Sequence, residues 1–135
     1  MPLAQAAARE TGVYVGLMSG TSADGIDAAV VELTDDGLPR ELSFLSANYP
    51  DGLRDRILEA FVDSSTPSRV NELHREIAEA FGETALAAVE AAGVSAPDVV
   101  AIGSHGQTVR HRPPTRQDPV GATLQLGNPA VIAAR

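Results

Sequence analysis

Val13-Tyr14-Val15-Gly16-Leu17-Met18 runs into Ser19-Gly20-Thr21-Ser22-Ala23-Asp24-Gly25, and Ile26-Asp27-Ala28-Ala29-Val30-Val31-Glu32-Leu33 runs out of it. The flanks are apolar and rich in β-branched residues, while the middle holds Gly, Ser, Thr and Asp. That pattern reads as strand, turn, strand. Asp35-Asp36-Gly37 is a second turn signal, and a third strand is expected from Arg40 to Tyr49. Three strands joined by short turns form a β-meander, and everything downstream has to pack on it.

Downstream the period changes. Pro50-Asp51-Gly52 breaks the strand pattern. Asp51 is a candidate N-cap for a short helix with Leu53, Ile57, Leu58 and Phe61 on one face. Thr66 and Pro67 then suit the cap and first residue of a longer helix, in which Val70, Leu73, Ile77, Phe81 and Ala88 recur at helical spacing until Gly93 stops it. Val99-Val100-Ala101-Ile102-Gly103 is a short apolar run, expected as a strand buried on both faces. An irregular stretch rich in Arg and Pro follows, up to Val120. Residues 121–127 read as another short strand, and Asn128-Pro129 as the start of a helix. The order β-β-β-α-α-β-loop-β-α predicts an α/β fold. Val99–Gly103 should lie parallel to the first strand of a mixed sheet, with the long helix packed on it. Residues 1–12 are expected to be a frayed tail, and 13–135 one domain.

Composition narrows the chemistry. The 135 residues carry a net charge of −8, without the basic footprint of a nucleic-acid binder. All ten basic residues are arginines, so the chain has no lysine for a P-loop or a Schiff base. It has no cysteine for disulfides or thiolate metal sites. No apolar run has the length of a membrane span and no leader pattern opens the chain, so a cytoplasmic protein without membrane or nucleic-acid partners is expected. Hydrophobic residues make up 44% and aromatic ones only 4%, so the core must be built from Ala, Val, Leu and Ile.

Two segments could carry chemistry. In Gly20-Thr21-Ser22-Ala23-Asp24-Gly25-Ile26-Asp27, glycines admit close approach, consecutive amides of a turn can cradle an anion, and Thr21 and Ser22 add hydroxyl donors. Asp24 and Asp27 are hard oxygen donors suited to magnesium. The same residue types also suit an ordinary hairpin turn. Ser104, His105, Gly106, Gln107 and Thr108 follow the apolar run, at the carboxyl end of a strand where α/β sheets bind ligands. His105 and Gln107 match sugar hydroxyls, and a plain strand-ending turn is the alternative. His74 reads as a surface or boundary residue, His111 as part of a solvated basic loop, and Glu72, Glu76 and Glu79 as a polar helix face.

Taken together these segments carry a resemblance. Gly16-Leu17-Met18-Ser19-Gly20-Thr21-Ser22-Ala23-Asp24-Gly25-Ile26-Asp27 closely resembles the opening motif of the anhydro-N-acetylmuramic acid kinases. So does Gly103-Ser104-His105-Gly106-Gln107-Thr108-Val109 followed by His111 and Pro113, and so does Thr123-Leu124-Gln125-Leu126-Gly127 with Ile132-Ala133. The three stand in the family's order and at its approximate spacing. The resemblance implies an actin-like ATPase domain of ribonuclease H-like fold, one of two flanking a cleft. It implies that ATP, Mg2+ and water convert 1,6-anhydro-N-acetylmuramic acid to N-acetylmuramic acid 6-phosphate in peptidoglycan recycling in the cytoplasm, and that the full-length enzyme is a homodimer. On the same grounds Gly20 to Asp27 form the nucleotide phosphate turn, and Ser104 to Thr108 lie on the sugar side. Relatives in the wider superfamily often carry an acid two positions before the motif glycine, where this chain has Met18. Metal-facing charge is therefore expected from Asp24 or Asp27. The family's water-activating carboxylate lies shortly beyond Arg135, so no catalytic residue is assigned within these 135. The competing reading is a non-catalytic nucleotide- or sugar-binding module of the same superfamily.

Overall fold

The computed structural model describes residues 11–62 and 65–135. The tail expected over 1–12 therefore lies outside the described residues as far as residue 10. Strand β1 (Gly12–Ser19), β2 (Ile26–Leu33) and β3 (Pro39–Ala47) form the meander. Helices α1 (Leu53–Glu59) and α2 (Pro67–Ala91) follow, then one 3-10 turn (Ala96–Asp98), β4 (Val99–Arg112), β5 (Ala122–Leu126) and α3 (Pro129–Ala133). The sheet order is β3-β2-β1-β4-β5. β1 and β4 are parallel, with Gly16 opposite Gly103, and the other pairs are antiparallel. This is the mixed α/β sheet that the element order predicts.

Alternation explains which side each residue faces. Val15, Leu17 and Ser19 of β1 and Ile26, Ala28 and Val30 of β2 are buried, while their neighbours Gly16, Met18 and Asp27 are exposed. The buried set meets Leu73, Ile77, Phe81 and Ala88 of α2 and Leu53 and Ile57 of α1. Each of the large side chains contributes about 1.5–3 kcal/mol by leaving water. The helix ends follow the sequence. Thr66 Oγ1 accepts from Arg69 N at 3.2 Å, and Pro67 opens α2. At the other end Gly93 has φ 71°, its amide donates to Glu90 O at 3.0 Å, and Val94 N donates to Val89 O at 3.3 Å. That paired closure is the Schellman stop.

Four expectations change. The cap of α1 is Gly52 at φ 77°, without a side-chain hydrogen bond, and not Asp51. The backbone turn itself closes the entry through Leu53 N to Pro50 O at 3.0 Å. Phe61 lies beyond the end of α1, although its ring still packs against the core. The run 99–103 is not buried on both faces: Ala101 and Gly103 are exposed and Ile102 is 40% exposed. No described helix covers that second face, and β5 pairs only with Gln107–Arg112, leaving the edge of 99–104 open. Finally, β4 does not end at Gly103 but continues to Arg112. It takes in Ser104–Thr108 and the first part of the stretch expected to be irregular. Bulges let one strand carry that long sequence past two different partners.

Candidate functional site

The turn between β1 and β2 is held from behind at each of its bends. Ala23 N donates to Gly20 O at 3.1 Å, closing a β-turn over Thr21 and Ser22. Ala23 has φ 53°, the one left-handed non-glycine among the described residues, and is fully buried. A left-handed residue inside a turn is part of the backbone pattern that makes an anion nest. Gln107 Nε2 donates to Gly20 O at 3.0 Å. Arg54 Nε donates to Ala23 O at 3.1 Å, and its Nη2 to Ser22 O at 3.1 Å. Ser19 Oγ sits 2.6 Å from Gly25 O. With the carbonyls of residues 20, 22, 23 and 25 engaged, the amides of exposed Thr21, Ser22 and Asp24 donate to no acceptor among the described residues. A peptide whose C=O points back presents its N–H forward, so the peptides of Gly20 O and Ala23 O turn the Thr21 and Asp24 amides to the outer side of the turn as free donors.

Two glycines here differ in cause. A Cβ on Gly25 would stand 2.6 Å from Ala47 O, so the chain's own packing requires glycine there. A Cβ on Gly20 would meet nothing within 4 Å, and Gly20 is exposed. Packing within the chain leaves the missing side chain at residue 20 unexplained.

The second segment reaches the same place by a bulge. Between Leu17↔Ser104 and Ser19↔Gln107, β1 advances two residues and β4 three. Gly106 absorbs the extra residue at φ 72°, and a Cβ on it would come within 2.6 Å of Leu126 O. Gln107 thereby turns inward beneath the turn, with none of its surface exposed. Thr108 accepts from Gln125 Nε2 at 3.1 Å and shares a small cleft of about 220 Å³ with Thr21, Arg110 and His111. Thr108 and Thr21 are thus neighbours across the two segments. Ser104 lies elsewhere, in a groove of about 690 Å³ between the open edge of β4 and α3. His105 is exposed, with Nδ1 3.3 Å from Gly106 O.

Both candidate metal ligands are exposed. Asp24 Oδ1 lies 3.4 Å from Arg54 Nη2, and Asp27 Oδ1 accepts from Ser46 Oγ on β3. Among the described residues no three His, Asp or Glu side chains cluster as a metal cage. Asp24 and Asp27, with the Thr21 and Ser22 hydroxyls, are the hard oxygen donors that the segment offers, the type magnesium takes while keeping most of its waters. The sequence reading missed Ser19, Tyr49 and Arg54. Tyr49 is buried, with its hydroxyl 2.8 Å from Gln107 Oε1, and burial pushes that hydroxyl up to about 12. Arg54 is aimed at the turn because α1 is pinned by buried Leu53 and Ile57 and by the ion pair of Arg56 with Glu76 on α2. That ion pair holds the Glu76 carboxyl below its ordinary range. No local pattern marks Arg54 as different from any exposed helical arginine. His74, read as a boundary residue, accepts Gly127 N at 3.0 Å through Nδ1 and ties α2 to the end of β5.

Comparison with known proteins gives one answer. The family model described as anhydro-N-acetylmuramic acid kinase matches residues 12–135. The anhydro-N-acetylmuramic acid kinase of Gloeobacter violaceus is 45% identical over 125 residues, covering 90% of this chain and 33% of the relative. That of Caldanaerobacter subterraneus subsp. tengcongensis is 40% identical over 134 residues, covering 94% and 34%. That of Crocosphaera subtropica is 45% identical over 124 residues, covering 88% and 31%. The chain spans about a third of the length of the curated relatives it matches.

Proposed function

The chain belongs to the anhydro-N-acetylmuramic acid kinase family, and from that premise we propose that it is the front part of an ATP-dependent kinase of 1,6-anhydro-N-acetylmuramic acid. The family has the actin-like ATPase fold, to which the mixed sheet β3-β2-β1-β4-β5 and its helices correspond. In the proposed reaction water adds to the anomeric carbon and the anhydro bridge opens. The freed 6-oxygen takes the γ-phosphoryl group of ATP, leaving ADP and N-acetylmuramic acid 6-phosphate. A carboxylate outside these 135 residues takes the water's proton.

The turn Gly20–Asp27 is assigned to the nucleotide phosphates. The observation that carries the assignment is the pair of free amides of Thr21 and Asp24, whose peptide oxygens on Gly20 and Ala23 are held from behind, beside a glycine that packing leaves open. Phosphoryl transfer depends on donors of this kind being in place before the charge develops. Asp24 and Asp27 would hold Mg2+, directly or through its waters, and the ion would neutralise phosphate charge. Thr108, beside Thr21, is assigned to the sugar side with exposed His105, while Ser104 opens onto the separate groove beside α3 and buried Gly106 shapes the strand between them. The enzyme is proposed to work in the cytoplasm as a homodimer, in peptidoglycan recycling. Read by itself, the 135-residue chain is a binding half, because catalysis by positioning needs both walls of a cleft.

The test compares this chain with a polypeptide extended to the relatives' full length, following transfer of labelled γ-phosphate to the anhydro sugar. Transfer by the extended protein and none by the 135-residue chain is expected. Gly20→Val in the extended protein should lower kcat/KM for ATP about a hundredfold. An extended protein that is folded but transfers no phosphate to the sugar overturns the function. A purified 135-residue chain that does transfer it places the base within these residues.

A further inference from the structure

The sequence places Gln107 among sugar-facing residues, yet its side chain is the most heavily engaged polar group in the core. Its Oε1 stands 2.8 Å from Tyr49 Oη and 2.7 Å from Ser19 Oγ. Its Nε2 stands 3.0 Å from Gly20 O and 3.2 Å from Thr108 O. A primary amide offers two hydrogens and two lone pairs: both hydrogens and the lone pair facing Tyr49 are used, and the other lone pair shares the single Ser19 hydroxyl hydrogen with Gly25 O. The orientation follows from chemistry, because two backbone carbonyls can only accept, and the NH2 must face them. Gln107 is wholly buried, Ser19 is 2% exposed and Tyr49 is 7% exposed, and none has room for a sugar hydroxyl between it and its partners. The partners themselves are informative. Gly20 O belongs to the turn that presents the free amides, and the same oxygen accepts Ala23 N, the bond that closes that turn. Thr108 O belongs to the residue that faces Thr21 across the small cleft.

We infer that Gln107, backed by Tyr49, is a positioning residue that fixes the Gly20–Ala23 turn for phosphate binding and sets the spacing between Thr21 and Thr108, and that it contacts neither sugar nor nucleotide. The bulge at Gly106 exists in this account to deliver the amide inward. Without the extra residue, position 107 would face the opposite side of the sheet. Tyr49 keeps Oε1 occupied, so that the amide cannot flip and point a carbonyl at Gly20 O. The inference rests on the proposed function only in naming phosphate as what the turn receives.

Two measurements test it separately from that function. In the 135-residue chain, amide hydrogen exchange is followed by NMR for wild type, Gln107→Met and Tyr49→Phe. Gln107→Met keeps the length and removes the hydrogen bonds. Exchange at Ala23 should accelerate about tenfold while Leu73–Phe81 of α2 is unchanged. Tyr49→Phe retains the ring packing and should give a smaller acceleration, of about twofold to threefold, at Ala23. Unaltered Ala23 exchange in both variants overturns the clamp, whatever the protein phosphorylates. In the extended protein, Gln107→Glu places an anionic oxygen against Gly20 O and Thr108 O at pH 8, and a protonated donor at lower pH. The KM for ATP should rise about tenfold at pH 8 and recover at least about threefold at pH 6, with the KM for the anhydro sugar within about twofold of wild type throughout. A rise confined to the sugar KM makes Gln107 a sugar ligand and ends the proposal, as does an ATP KM that pH does not restore.

Discussion

Three glycines in the two motifs should separate cleanly in a stability measurement. Gly106 sits at φ 72°, where an L side chain costs about 1–2 kcal/mol. Its added Cβ would also press to 2.6 Å from Leu126 O, forcing β5 outward at a further cost of about 1–3 kcal/mol. Gly106→Ala should therefore lose about 2–5 kcal/mol, which for a domain of this size lowers Tm by about 7–18 °C. Gly25→Ala has no left-handed backbone but meets Ala47 O at 2.6 Å, so only the crowding cost of about 1–3 kcal/mol applies. Gly20→Ala meets nothing within 4 Å and should stay within about 0.5 kcal/mol of wild type. Thermal unfolding of the 135-residue chain by circular dichroism reads all three. If Gly20→Ala is as damaging as Gly106→Ala, then glycine at residue 20 serves the fold and the argument that its open space awaits a ligand collapses. A neutral Gly106→Ala would equally refute the account of the bulge.

Tyr49 gives an alkaline signature. Its hydroxyl is raised in the fold to about 12, so its contribution is complete below the unfolded value near ~10 and is lost as pH rises toward 12. Denaturant midpoints measured from pH 8 to 11 should fall more steeply for wild type than for Tyr49→Phe, and parallel curves would show that Tyr49 is not buried as described. Asp24 is exposed and its pair with Arg54 spans 3.4 Å, so Asp24→Asn should change stability by less than about 0.5 kcal/mol. In the extended protein the same variant should lose activity at low magnesium and regain much of it as magnesium is raised. A loss independent of magnesium would remove Asp24 from the metal.

Much of the fold was legible because its signals are local. The β-branched runs at 13–18 and 26–33, the Thr66-Pro67 start and the Gly93 stop each depend on neighbours within a few residues. Apolar spacing in α2 named Val70, Leu73, Ile77, Phe81 and Ala88 as one face; the last four are fully buried and Val70 is half-buried against them. Motif order pointed to the family, and the match over residues 12–135 agrees. The α1 cap was misread because Asp51 is the usual capping type, while the backbone at Gly52 closes that entry without any side chain.

Residue types and spacing brought the Gly20–Asp27 turn and the Ser104–Thr108 segment forward as candidates, each beside an ordinary-turn alternative, and the resemblance to the kinases gave them their expected roles. Only the tertiary structure sorted the members of the second segment, burying Gln107 and sending Ser104 to the groove beside α3 while Thr108 stays beside Thr21. Only it recruited Ser19, Tyr49 and Arg54 to hold the turn. The reason is geometric. One inserted residue at Gly106 reverses the faces that Gln107 and Thr108 take, until a second irregularity between Thr108 and Arg110. The partners of Gln107 at residues 19, 20 and 49 lie 88, 87 and 58 positions away, beyond the reach of any periodicity.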